Sequence, residues 1–154
     1  MTSTQTLKSS TQTRLEAAEI YKRHKNELLN LVDRWNGLAQ ENPNREITEL
    51  RDAVRHLHRS LSLAASEDDR VAKIGISELE KKAWNTLNTT SEYLYELSPE
   101  IQPGAYADNR YARLLQATSD VLFGNNHEIG KEWGGVAGKL CSAGLVTEPY
   151  RGLC

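Results

Sequence analysis

The sequence predicts an all-α fold: an up-down bundle of four helices with a polar N-terminal arm and a glycine-rich C-terminal extension. Three observations carry this. Apolar residues recur at steps of three and four in four long segments, which is the helical period. Proline, glycine and asparagine clusters punctuate those segments. No segment alternates polar and apolar residues as a half-buried strand would. The 154 residues suit one domain, and helix is expected over more than half of them.

The arm is residues 1–12, almost all Ser, Thr and Gln. It buries too little to offset its ordering entropy, so it is expected to be flexible, and it lacks the apolar stretch of a secretory signal. The bundle is expected over 13–124. A first helix covers 12–41, with Leu28, Leu31, Val32, Trp35, Leu38 and Ala39 as its stripe and Leu15, Ala18 and Tyr21 extending it upstream. Pro43 ends it, because the residue before a proline is pushed out of helical geometry. Asn44 is then an N-cap for a second helix over 45–65, whose seam is Ile47, Leu50, Val54, Leu57, Leu61 and Ala65.

Ser66, followed by three acids, signals the start of a third helix over 67–98, lined by Leu79, Ala83, Leu87, Leu94 and Leu97. Gly75 is a candidate break, since Ser77 and Glu80 have capping-box spacing. A fourth helix is expected over 107–123, with Tyr111, Leu114, Leu115, Thr118, Val121 and Leu122 on its face, stopped by Gly124. The extension is 125–154. Ile129, Trp133, Val136 and Leu140 keep helical spacing over 127–140, and 141–154 reads as an irregular tail. Gly130, Gly134 and Gly138 form either a close-approach stripe on that helix or a loop-like segment. Trp35, Trp84 and Trp133 are read as core.

Charge and motifs exclude several function classes. The net charge of −2 argues against a broad basic nucleic-acid surface, though not a small local one. No apolar run is long enough to span a membrane, and no membrane partner is expected. No dinucleotide fingerprint or nucleophile elbow occurs. Gly135-Val-Ala-Gly-Lys139-Leu140 resembles part of a phosphate loop, but its first glycine is out of register and Leu140 replaces the magnesium-binding hydroxyl. The histidines include no i, i+4 pair, so neither a metal site nor a cofactor is expected. Cys141 and Cys154 are read as two free thiols in a cytoplasmic protein, with a regulatory disulfide between them left open by their separation.

One constellation remains. The second helix contains Leu50-Arg-Asp-Ala-Val-Arg-His-Leu-His-Arg-Ser60, in which Arg51 and His56 fit R-x4-H with polar Asp52 after the arginine. This resembles the signature of the HEPN superfamily, small helical domains that include metal-independent ribonucleases of toxin and phage-defence systems. A long first helix and a later Glu78-Leu-Glu-Lys-Lys-Ala-Trp-Asn segment are similar to that layout. The likeness spans roughly residues 12–123, and the motif carries it. The chain departs from the active families in having His58 where they have a tyrosine.

The resemblance implies an RNA-directed protein. Arg51 would clamp a phosphate, Asp52 would orient Arg51, and His56 would position the 2′-hydroxyl or move its proton. Each protomer of a dimer would supply one motif. The residue types suit these roles, since arginine binds phosphate oxygens bidentately and histidine titrates near neutrality. Arg55, His58 and Arg59 are read as accompanying binding residues. On one helix Arg51 and His56 lie about 140° apart, so they cannot clamp one phosphate without a second surface. His56 is expected nearly opposite the apolar seam, facing solvent or another chain.

Two rival readings stand beside this one. One is a non-enzymatic helical interaction protein, such as an adaptor, a small subunit or an inhibitor. The other is a self-assembling structural or coat protein. RNA and a protein partner or second copy are the expected partners.

Overall fold

A computed structural model of the chain describes residues 10–97, 110–124 and 134–146. They form five helices, α1 (Ser10–Glu41), α2 (Arg45–Ala64), α3 (Asp69–Leu97), α4 (Arg110–Phe123) and α5 (Gly135–Ser142), with no strand among the described residues. The described residues are all-helical in class, and their helices cover more than half of the chain.

α2 runs antiparallel to α1, and α3 to α2, as their short connections require. One core cluster joins Ile20 and Leu28 of α1 to Leu57, Leu61 and Ala64 of α2. The other joins Leu31, Trp35 and Leu38 to Ile47, Leu50 and Val54. On the far side of α2, His56 meets Glu78 and Tyr93 reaches Glu49, so α3 runs against α2. α4 lies against α1 with its start near the end of α1, where Arg110 pairs with Glu41. The buried Trp35 indole donates to Thr118 Oγ1 at 2.9 Å, and that hydroxyl donates to the Leu114 carbonyl at 2.8 Å. Tyr111 packs edge-on against Trp35. Trp84 is half-buried beside the core, and Trp133 lies outside the described residues.

The α2 seam is as its periodicity predicts, with Ala64 rather than Ala65 closing it. Asn44 caps it, accepting from Ile47 N–H at 2.9 Å. Three other expectations are corrected. In upstream α1 the buried stripe is Ala17, Ile20, His24 and Leu28, while Leu15 is 66% exposed. Continuing the seven-residue step backward from Leu31 and Leu38 reaches His24 and Ala17, so the period holds and the hydrophobic residue types mislead. The side chain that caps α3 is Asp68, which accepts from Arg70 N–H at 2.9 Å, while Ser66 accepts from Asp68 N–H in the turn before it. The N-terminal helix begins at Ser10, so the last three residues of the expected arm are helical; residues 1–9 lie outside the described ones.

Gly75 does not break α3; the helix passes through it unbroken. A Cβ built there would stand 2.1 Å from Ala64 N and 2.6 Å from Ala64 Cα. Glycine is therefore needed for close approach, and it lets α3 lie in backbone contact with the end of α2.

α5 extends past Leu140 to Ser142, and Gly134 precedes it as N-cap, so Gly134 and Gly138 do not form a stripe within one helix. Gly130 lies outside the described residues. Gly135 has φ +60, and a Cβ there would stand 2.4 Å from the Val121 carbonyl. Val136, Ala137, Leu140, Leu145 and Val146 are buried in the first core cluster. Cys141 is disulfide-bonded, which corrects the expectation of a free thiol. The sequence has one other cysteine, Cys154, which lies outside the described residues. Among the described residues no helix is long and apolar enough to cross a membrane.

Two glycine substitutions separate close approach from conformational freedom. Gly75→Ala is expected to cost about 3 kcal/mol, because backbone must move to admit the methyl group. Gly37→Ala, in α1 with nothing within 4 Å of the added carbon, is expected to stabilise by roughly 0.5–1 kcal/mol. Urea unfolding of both variants checks the pair; equal effects would refute the contact.

Candidate functional site

α2 is flanked by α1 on one side and α3 on the other, and its charged residues emerge at the two junctions. Asp52 and His56 stand between them and line a groove on each side. The α1–α2 groove, about 410 Å³, is walled by Val32, Asp52, Arg55, His56, His58 and Arg59. The α2–α3 groove, about 330 Å³, is walled by Glu49, Asp52, Ala53, His56, Lys82, Asn85, Thr86 and Thr89.

His56 is half-buried, with its side chain 28% exposed. Its Nε2 lies 3.4 Å from Ser60 Oγ and 3.8 Å from Glu78 Oε2. Lys82 Nζ lies 3.4 Å from that same carboxylate oxygen. The sequence expectation that His56 faces away from the packed surface is therefore corrected. α2 buries residues against two neighbours, so its packed arc is wider than its apolar seam and takes in His56. Burial pushes the His56 imidazole below its ordinary range, and the Lys82 charge adds to this. Glu78 opposes both, and Arg59 lowers it further. His56 is thus biased toward the neutral form, the form able to accept a proton.

His58 lies against α1. Its ring is 5.7 Å from the Tyr21 ring, and Lys25 Nζ stands 5.9 Å from that tyrosine's centroid. Burial, with a smaller contribution from Lys25, pushes His58 down as well. Its Nε2 is enclosed with no hydrogen-bond partner, which penalises a proton there.

Arg51 stands apart. Its Nε and Nη2 both reach Asp52 Oδ1 at 3.1 Å. Arg51 walls neither of the two grooves. Within one chain Arg51 and His56 therefore share no groove. Arg55 and Arg59 do share one, and both are exposed. Sequence reasoning missed Glu78 and Lys82, which set the environment of His56. Their i, i+4 spacing was a usable signal, but only the α2–α3 contact shows what they face.

Among the described residues no three His, Cys, Asp or Glu side chains are grouped so as to hold a metal ion. No family model, curated protein or solved structure matches this chain.

The two depressed histidines give stability a pH dependence. Below the usual histidine value of 6.5, the unfolded chain takes up protons that the folded chain resists. Stability is therefore expected to fall as pH drops through 6.5 toward the folded-state values, and to level off below them. Urea melts at several pH values between 7.5 and 5 check this. His58→Gln should flatten part of the decline, and an unchanged slope would contradict the burial of that imidazole.

Proposed function

We propose that this chain is a HEPN-like RNA-directed protein, with His56 at its centre. One observation carries the reading: a half-buried His56, held toward neutrality, lines an open groove together with Arg55 and Arg59. That combination suits a polyanion carrying a hydroxyl that must lose a proton. Histidine serves the proton, and arginine serves the phosphate oxygens.

The chemistry is attack of an RNA 2′-hydroxyl on the adjacent phosphorus. His56 accepts the hydroxyl proton as the 2′-oxygen–phosphorus bond forms. The 5′-oxygen leaves and takes a proton from solvent or a second His56. The products are a 2′,3′-cyclic phosphate and a 5′-hydroxyl end. Arg51, aligned by Asp52, would stabilise the phosphate from a second protomer, because it does not reach the groove of its own chain. A dimer pairing two motifs completes the site in this reading.

A second reading, a non-enzymatic interaction protein, has its own support. Leu15 of α1 is 66% exposed and Ile74 of α3 55% exposed, large apolar side chains that a partner could cover.

Purified protein incubated with single-stranded and structured RNA, with and without EDTA, tests the proposal. Cleavage is expected to persist in EDTA and to leave cyclic phosphate ends. Arg51→Ala and His56→Ala should each lower the rate by about a hundredfold or more while the protein stays helical. Cleavage that survives both substitutions would overturn the mechanism. RNA binding without cleavage would reduce the function to binding, and neither binding nor cleavage would favour the interaction protein.

A further inference from the structure

Charge pairing along α2 is uneven. Asp52 is engaged by Arg51. Glu49 accepts from Arg45 at 2.9 Å and from the Tyr93 hydroxyl at 2.5 Å. Glu78 is shared by Lys82 and His56. The acids nearest the grooves therefore have cationic or hydrogen-bond partners. Arg55 and Arg59 have no acidic partner within ion-pair distance among the described residues. They are one helical turn apart, offset by about 40° around the axis and about 6 Å along it. Both wall the α1–α2 groove.

We infer that the α1–α2 groove is a binding site for a single phosphate group, clamped between Arg55 and Arg59. Two guanidinium forks one turn apart can bond different oxygens of one tetrahedral phosphate, and the planar fork favours bidentate contact. A groove of about 410 Å³ falls within the size range of small-ligand sites, roughly 300–1,000 Å³. Its mouth is not wholly cationic: the Asp52 carboxylate also lines it, which favours a singly charged phosphodiester over a dianion. Val32 supplies an apolar wall on the α1 side.

The two histidines make the site report on its own occupancy. His58 is faced by Tyr21 and Lys25 from α1 and shares the groove with Asp52, Arg55, His56 and Arg59. His56 is faced by Glu78 and Lys82 from α3 and by Ser60 and Arg59 from its own helix. His58 Nε2 is enclosed, so any contact between this ring and a ligand falls to Nδ1. An anion seated between the arginines favours the charged form of both rings.

That the phosphate is a link of an RNA strand rests on the function proposed above; the clamp itself does not. The test follows the histidine ring C–H resonances by NMR against pH, with inorganic phosphate, with a short single-stranded RNA, and with an oligoglutamate peptide. Phosphate and RNA should each move the His56 and His58 titration midpoints upward, and oligoglutamate should not. The double variant Arg55→Gln, Arg59→Gln should weaken both interactions more than about tenfold, whereas Arg113→Gln, on the exposed side of α4, should not. Circular dichroism should show both proteins equally helical. Loss of phosphate binding in the double variant with RNA binding intact would uphold the clamp and overturn the RNA assignment. No movement of either histidine with phosphate, an equal response to oligoglutamate, or equal losses in the two variants would overturn the clamp.

Discussion

A missing methyl group at Gly75 sets the geometry of the candidate site. With hydrogen in place of Cβ, α3 lies in backbone contact with Ala64 at the end of α2. Residues three and seven positions further along a helix share the same face, and here they are Glu78 and Lys82. The contact therefore delivers that pair to His56. Spreading the helices to admit a side chain at position 75 would carry the carboxylate and ammonium away from the imidazole. It would also loosen the junction where Leu57, Leu61 and Leu79 share one core. Packing and electrostatics at His56 thus have a common origin in one small residue.

The second constraint is how charge is distributed along α2. The chain as a whole is slightly acidic, yet the exposed outer part of α2 keeps two unpaired guanidinium groups. Arg51 takes up Asp52 and so spares Arg55 and Arg59 from neutralisation. Arg51 thereby shapes the charge of a groove that it does not touch. In the proposed reading, so small a basic site on a near-neutral protein would engage one phosphate rather than a broad polyanion surface, because each phosphate neutralised adds one increment of salt-dependent affinity.

Much of the fold was legible because the seam of α2 is strongly patterned. Its residues from Ile47 to Leu61 are all buried, and Asn44 caps the helix as its position before the seam suggests. Legibility failed where residue type and position disagree. Upstream in α1, Ala17 and His24 occupy buried turns, and the more apolar Leu15 does not. Gly75 looks like a helix breaker when propensity alone is considered, since tertiary approach leaves no trace in a single helix's pattern. The site was half legible. The charged cluster from Arg51 to Arg59 stands out in sequence, and the pairing of Arg51 with Asp52 is local. That His56 turns toward α3, and that Arg55 rather than Arg51 shares its groove, depends on which two helices flank α2. The disulfide at Cys141 was open but undecided in the sequence, because chain separation alone does not place two sulfurs together.

The phosphate site proposed on this face of α2 turns on Arg55 and Arg59 holding phosphate where packing leaves the helix open. The dependence of single-stranded RNA affinity on salt measures that contact. Each phosphate contact contributes about 0.7 to the slope of log affinity against log salt concentration on a single strand. Both guanidinium groups hold one phosphate, so removing both charges is expected to reduce the magnitude of that slope by about 0.7, with the remaining slope reporting other contacts. A slope that is unchanged in the double variant would show that neither arginine meets a phosphate, even if the affinity itself had fallen.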